Sequence, residues 1–257
     1  MKASSTGDKA KKIISALISA VFWTALWGLV SLRVGKDVLL PSPLVTLRHL
    51  VTLASTEAFW RAAGMSLLRV ALGFAAGAVT GTLLAVMTSF SRMLDSLFSP
   101  VGTVIRATPV ASFIILALVW LKASNVPSFI SFLMVLPIVY TNVLNGMKSA
   151  PPALLEMTSL FGVSSPRRLL LVYLPALRPY LLSGCGVAIG LAWKAGVAAE
   201  IIGIPDGSIG EKFYFAKVYF ATGDLFAWTA AVVCISVLFE KLFLFLLGRF
   251  YARLRRL

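Results

Sequence analysis

The segment at residues 148–179 reads KSAPPALLEMTSLFGVSSPRRLLLVYLPALRP. Its prolines and its glycine stand where helices begin and end, which is not typical of a simple turn. Pro151 and Pro152 favour the start of a helix, because proline is tolerated in the first turn, where amide donors have no partner. Gly162 is a typical C-terminal glycine, so the first helix is predicted to end there.

A second short helix is predicted directly after this glycine. Ser165 is expected to cap it, Pro166 to occupy its first position, and Pro175 to follow its end. The segment thus becomes a helix, a glycine turn and another helix, with apolar residues left over for a partner to cover. The alternative is a pair of interfacial helices lying on lipid headgroups.

The chain on both sides of this segment is strongly apolar. Of its 257 residues, 59% are hydrophobic and 13% are charged, and the mean hydropathy is +0.91. Soluble domains are nearer 45–50% apolar and about 25% charged. The composition therefore predicts an integral membrane protein and excludes an ordinary soluble enzyme or a disordered chain.

Runs that carry few or no charges and are long enough to cross the hydrocarbon core, about 20 residues, predict six transmembrane helices. They lie at residues 13–32, 70–91, 96–122, 123–147, 179–204 and 225–248. A signal peptide is the alternative for the first, but its length and its Trp23 and Trp27 favour a retained helix. The external connection at 33–57 is predicted to hold a short amphipathic helix, which leaves 58–248 as a core of five spans.

Lysine and arginine predict the orientation of these spans. Twelve basic residues fall in the tails 1–12 and 249–257 and in the connection 148–178, against seven in the opposite connections. We therefore expect both termini in the cytoplasm of a multi-pass protein of the cell membrane. The net charge of +14 lies at the ends of apolar runs, which does not favour nucleic acid as a partner.

The sequence offers little material for catalysis or for binding a metal. It has one histidine, its two cysteines lie in apolar runs, and no two of its ten carboxylates lie within four residues of each other. It also lacks the G-x-x-x-x-G-K-[ST] phosphate loop. No catalytic residue and no metal site is predicted, and any ATP must be bound elsewhere.

The loop resembles the cytoplasmic signature of ABC importer permeases, which reads E-A-A, three residues, G, nine residues, I-x-L-P. Glu156, Gly162, Leu174 and Pro175 match this signature at the same spacing, Val172 stands in place of isoleucine, and Met157 and Thr158 stand in place of the two alanines. The resemblance implies an all-α, type I importer permease with a coupling helix at about 151–165. It also implies two ATPase subunits that bind ATP-Mg, a second copy of the permease as a homodimer, and an extracytoplasmic solute-binding protein.

Other stretches resemble the nitrate, sulfonate and taurine type of permease. These are Ser66-Leu67-Leu68-Arg69-Val70, Arg106-Ala107-Thr108-Pro109, Leu191-Ala192-Trp193 and Ala199-Glu200. The resemblance implies import of a small anionic or polar solute, and a pyrimidine vitamin precursor or similar heterocycle is the alternative.

Ionisable residues within spans are costly and mark candidate sites. The candidate translocation path comprises Arg69, Arg106, Thr108, Trp193, Lys194 and Glu200. Lys194 and Glu200 lie about 120° apart on a helix, so we expect Glu200 to meet a basic residue of another span and Lys194 to face the solute. Alternatively, Arg69 and Arg106 lie near span ends and reach lipid headgroups.

Two further patterns leave alternatives open. Gly73, Gly77 and Gly81 predict close helix packing within the chain, or else a dimer interface or a glycine-lined path. Phe213, Tyr214 and Tyr219 belong to an interfacial aromatic belt, or else to an external gate or a ledge for the binding protein.

The main competing function is an ion-gradient-driven secondary transporter or channel. No convincing repeat relates residues 1–128 to 129–257, and the ordered loop would have no role in such a protein.

Overall fold

The computed structural model describes residues 5–254, and these residues form eleven α-helices and one π-helical turn without any β-strand. The helices are α1 (Ser5–Val34), α2 (Pro43–Ala54), α3 (Glu57–Ser89), α4 (Arg92–Ala107), α5 (Val110–Trp120), α6 (Val126–Lys148), α7 (Pro152–Leu160), α8 (Ser165–Arg168), α9 (Leu174–Gly203), α10 (Ile209–Val218) and α11 (Thr222–Leu254). The π-helical turn, Leu169–Tyr173, joins α8 to α9. Lys2, Arg255 and Arg256 of the predicted tails lie outside the described residues.

Five stretches within the described residues are long and apolar enough to cross a membrane. They are Ile14–Val34, Glu57–Ser89, Val126–Lys148, Ser165–Gly203 and Thr222–Arg253. The number becomes six if the bent pair Met93–Ala107 and Val110–Trp120 forms one span. An all-helical membrane fold of five or six spans therefore agrees with the sequence.

The predicted third span is not one straight helix. Its two halves, α4 and α5, meet at an angle of 104°. Thr108 is extended, with φ −81° and ψ 132°, because the ring of Pro109 disfavours the helical conformation in the residue before it. Proline also brings no amide hydrogen to continue the helix. The prediction of a span at 96–122 did not include this break.

Residues 5–59 and 213–231 form one compact unit. Here Trp27 Nε1 donates to the Pro41 carbonyl (3.1 Å), and Ser42 caps the N-terminus of α2 by accepting from the Val45 amide. His49 Nδ1 lies 2.7 Å from Asp224 Oδ1. A helix in the connection was predicted, and α2 confirms it.

Residues 60–212 and 232–254 form the second unit, whose centre is the packing of α6 against α9. A Cβ at Gly73 would overlap the Ser128 carbonyl oxygen, and Cβ atoms at Gly77 and Gly81 would press on α6 as well. The three glycines therefore let α3 approach α6 closely. This confirms helix packing within the chain as the interpretation of the glycine pattern.

Candidate functional site

The signature segment forms an exposed helix. In α7, Glu156 and Met157 are exposed, while Thr158 is buried and its hydroxyl donates to the Leu155 carbonyl (2.9 Å). At the end of α7, Leu160 is 86% exposed and Phe161 is 78% exposed. Large apolar side chains that are this exposed are typical of a surface that contacts another protein or the membrane.

Gly162 ends this helix as predicted. It adopts φ +63°, and its amide donates to the Ser159 carbonyl (3.1 Å). The amide of Val163 donates to the Thr158 carbonyl (2.9 Å). These two bonds form a Schellman motif, which satisfies the last carbonyls of the helix and fixes the direction of the chain. The corner after α7 is therefore well defined in geometry.

The second helix of the loop differs from the prediction. Ser164, and not Ser165, occupies the N-cap position, and it makes no side-chain cap. The helix also does not stop before Pro175: it passes through the π-helical turn and continues as α9 to Gly203. Pro175 is the second residue of α9 and directly follows the π-helical turn. Leu174, the first residue of α9, is half-buried.

A buried charge network lies near the other end of α9. Glu200 is fully buried, and its Oε1 lies 3.4 Å from Arg69 Nη1 of α3. Its Oε2 accepts from Ser66 Oγ (2.7 Å) and from the Gly210 amide (3.2 Å). Glu200 therefore meets a basic residue of another helix, as expected, and the contact is supported by two further donors.

Arg106 lies at the break between α4 and α5. Its Nη1 donates to Thr141 Oγ1 of α6 (3.0 Å), and its side chain is exposed. A cavity of about 200 Å³ opens here, lined by Ile105, Arg106, Thr108, Val110, Met134, Pro137, Ile138 and Leu191. Non-helical backbone at membrane depth is tolerated where it is buried in protein or lines a water-filled cavity. Arg106 and Thr108 thus share one cavity.

Lys194 and Trp193 are neighbours on α9 with opposite surroundings. Lys194 is exposed and has no hydrogen-bond or ion-pair partner within residues 5–254. Trp193 is 1% exposed, and its indole N–H lacks a partner in the described part of the chain. The predicted path residues therefore fall into three groups: the Arg69–Glu200 pair, the Arg106–Thr108 cavity, and the α9 pair.

Of the candidate gate residues, Phe213 and Tyr214 lie on α10, and Tyr219 directly follows its last residue, Val218. Tyr214 is 38% exposed and Tyr219 is 74% exposed, while Phe213 is half-buried. Phe215, which was not among the candidates, links the two tyrosines: its ring meets that of Tyr214 edge-on and stacks on that of Tyr219. The result is an exposed aromatic ridge.

Sequence reasoning missed Ser66 and Gly210 as functional positions. Ser66 precedes Arg69 by three residues, which places both on one helix face, and that spacing was the available signal. Gly210 carries no local signal, because its role depends on contact with Glu200, ten residues earlier in the chain.

Comparison with known proteins matches the sequence of this chain to a described family. The family model described as "Binding-protein-dependent transport system inner membrane component" matches residues 77–256. The taurine transport system permease protein TauC of Escherichia coli is 26% identical over 86% of this chain and 82% of its own length. The nitrate import permease protein NrtB of Synechococcus elongatus is 28% identical over 84% of this chain and 80% of its own length.

A solved structure shows the same fold. It is described as a bacterial ABC transporter involved in the import of the acidic polysaccharide alginate. The two chains superpose with a TM-score of 0.62 at 16% sequence identity, and the superposition covers 96% of each of them.

Proposed function

The chain belongs to the family of binding-protein-dependent transport system inner membrane components, and from this membership we propose that it is the permease subunit of an ABC importer. It forms the translocation path for a small anionic or polar solute, and α7 couples that path to an ATPase on a separate subunit. The chain is a membrane component of a transport system and not an enzyme.

The observation that carries the coupling role is the exposed corner at the end of α7. Leu160 and Phe161 project there beside a fixed Schellman turn at Gly162. The chain then runs from Ser165 to Gly203 as one helical stretch. A rigid corner on a continuous helix transmits a push, whereas a flexible loop would absorb it.

The proposed assembly holds two copies of this chain, two ATPase subunits that bind ATP-Mg, and an extracytoplasmic solute-binding protein. Both termini and α7 lie on the cytoplasmic side, in accordance with the distribution of Lys and Arg. The aromatic ridge of α10 then lies outside, where it forms a gate or a ledge for the binding protein.

An anionic solute is supported by the balance of charge along the candidate path. Glu200 and Arg69 compensate each other in their buried pair. Arg106 and Lys194 are both exposed and lack a carboxylate partner within residues 5–254. These two cations favour an oxyanion, such as a sulfonate or nitrate, over a neutral heterocycle of the pyrimidine type.

The first experiment is the native mass of the complex, purified gently from its source membranes with a tag on this chain. We expect two copies of the 27.6 kDa chain with two copies of an ATPase. In vesicles supplied with the co-purified binding protein, uptake of labelled taurine, nitrate and an alkanesulfonate should require ATP. A chain that stays free of any ATPase and still carries out gradient-driven uptake would instead be a secondary transporter.

A leucine-to-aspartate change tests the coupling surface itself. Leu160→Asp should abolish capture of the ATPase while the chain remains folded, because the side chain has little contact within the chain. Leu39→Asp, at a 66% exposed leucine of the connection between α1 and α2, is the matched control and should leave capture unchanged. Equal capture by both variants would contradict the assignment of α7.

A further inference from the structure

Glu200 receives more hydrogen-bond donors than an ordinary ion pair requires. Its side chain is fully buried, and its two oxygens accept from the Ser66 hydroxyl, the Gly210 amide and the Arg69 guanidinium. A buried carboxylate with all its donors in place is held firmly, and one that loses a donor is strongly penalised. The geometry around Glu200 is therefore that of a fixed anchor.

The donors come from two separate segments. Ser66 and Arg69 belong to α3, whereas the Gly210 amide opens α10. The same α3 residues also reach the turn between α9 and α10 directly: Arg69 Nη2 donates to the Asp206 carbonyl (3.3 Å), and Ser66 Oγ accepts from the Ile209 amide (2.9 Å). One network thus ties α3, the end of α9 and the first turn of α10 together.

Close backbone contact reinforces this network. A Cβ at Gly210 would overlap the Cβ and the carbonyl carbon of Glu200. The chain reaches this contact through Ile204, which adopts a left-handed conformation at φ +48°. Such a conformation is unfavourable for a β-branched residue and persists only where surrounding contacts impose it. The turn between α9 and α10 therefore packs directly against the backbone of α9.

The network lies at the opposite end of a long helical stretch from the α7 corner. Glu200 lies one turn from the end of α9, and the opposite end of the same helical stretch leads through α8 to the α7 corner. A displacement of α7 would be passed along this stretch, and a segment attached at Glu200 would move with it.

We propose that Glu200 is a positioning residue that anchors the α9–α10 turn to α3, so that the three segments move as one piece when α7 is displaced. This inference rests on the proposed function, because it concerns the segments that would move at the end of α9 when the proposed coupling helix α7 is displaced. Ser66 and Arg69 act with Glu200, and their purpose is to keep the turn attached and not to contact the solute.

The first test measures the anchor without any transport. Amide hydrogen exchange of the purified chain is followed over residues 205–212 in the wild type, Glu200→Gln and Ser66→Ala. In Glu200→Gln an NH₂ group, which donates, replaces one of the two oxygens that accept hydrogen bonds in the wild type. The rate of amide hydrogen exchange at Ile209 and Gly210 should therefore increase at least about tenfold. Glu211→Gln is the matched control, because Glu211 accepts from the Gly207 amide and pairs with Lys212, and both of these residues lie outside α3.

The second test measures coupling in proteoliposomes that contain the co-purified ATPase and binding protein. Glu200→Gln and Ser66→Ala should import at least about tenfold less labelled solute per ATP hydrolysed, while ATP hydrolysis stays within about twofold. Glu211→Gln should keep the wild-type ratio. The double exchange Arg69→Glu with Glu200→Arg should not restore import, because position 200 must also accept from Ser66 and Gly210.

Several outcomes would overturn the anchor: unchanged exchange in Glu200→Gln, an unchanged ratio of solute to ATP, or restored import in the charge exchange. Ser66→Ala, which leaves the ion pair intact, decides the question if Glu200→Gln does not assemble. If the wild type imports nothing with ATP, the proposed function fails, and the exchange data still decide whether the anchor exists.

Discussion

Lys194 and Glu200 lie six residues apart on α9, and their surroundings are opposite. Glu200 is surrounded by donors, whereas Lys194 projects from the middle of an apolar helix without a partner in the described part of the chain. A cation in such a position is costly in a bilayer unless it faces water or an anion. This position agrees with the proposal that Lys194 faces the solute path.

Replacing this charge tests that assignment. Lys194→Met keeps the length of the side chain and should lower uptake at least about fivefold, because the path loses one of its two uncompensated cations, while the amount of assembled complex is unchanged. Lys36→Met, at an exposed lysine outside the predicted path, is the control. Uptake by Lys194→Met equal to that of the control would remove Lys194 from the path.

Gly162 provides a second prediction for a single residue. Nothing lies within 4 Å of a Cβ placed there, so the cost of substitution comes from its φ of +63° alone, about 1–2 kcal/mol for alanine. Gly162→Ala should weaken capture of the ATPase about tenfold, since 1.4 kcal/mol corresponds to a factor of ten. Gly162→Asn should weaken it less, because asparagine tolerates the left-handed region. Titration of the ATPase against the two variants compares them, and equal affinities would contradict the argument.

At the scale of elements, α3 and α6 pack closely because three residues of α3 at their contact are glycines. Gly73, Gly77 and Gly81 occur at four-residue spacing and face α6 along its length. Lipid supplies little hydrophobic drive for such contacts, so close backbone approach and van der Waals packing must stabilise them.

Two glycine substitutions in the same helix should therefore differ strongly. Gly73→Ala would force α3 away from Ser128 and Ser131 and should destabilise the fold by about 1–3 kcal/mol or more. Gly64→Ala has nothing within 4 Å and should be neutral or stabilising by up to about 1 kcal/mol, because alanine is the better helix former. Thermal unfolding in detergent measures both, and a similar loss in each would show that packing is not the cause.

The helices of the fold were largely predictable, because hydrocarbon requires long stretches without charge and few sequences meet that requirement by accident. The break at Thr108–Pro109 was not, since Pro137 and Pro179 lie inside α6 and α9 without ending them. The π-helical turn was hidden as well, because the sequence LLLVY is compatible with an ordinary α-helix.

The parts of the site were predictable to different degrees. The end of α7 at Gly162 follows from local chemistry, so sequence alone located it. The contact of Arg69 with Glu200 joins residues 131 positions apart, and only tertiary packing selects this partner among the basic residues of the chain. Gly210 depends on the same packing, which explains why no local pattern revealed it.

For the whole molecule, the orientation in the membrane is the property that makes the proposal coherent. In the proposed orientation, α7 and α10 lie on opposite sides of the membrane, so that the proposed ATPase would contact one and the proposed binding protein the other. The distribution of Lys and Arg favours both termini inside.

Single cysteines test this orientation in a Cys234→Ser background, since Cys234 is exposed and Cys185 is buried. A membrane-impermeant maleimide should label Leu39→Cys in intact cells and Phe161→Cys only in inside-out vesicles, because both side chains are well exposed. The reverse pattern would invert the protein and separate α7 from any cytoplasmic ATPase.

The π-helical turn at Leu169–Tyr173 has a consequence for chimeric transporters. Such a turn corresponds to one residue inserted into an α-helix, so removing one residue there would rotate the α7 corner by about 100° and shift it by about 1.5 Å relative to α9. The rotation of the α7 corner about the helix axis relative to Glu200 is thus set by the number of residues between Gly162 and Glu200. Grafts of α7 from a relative should preserve that number, even where every side chain in between is exchanged.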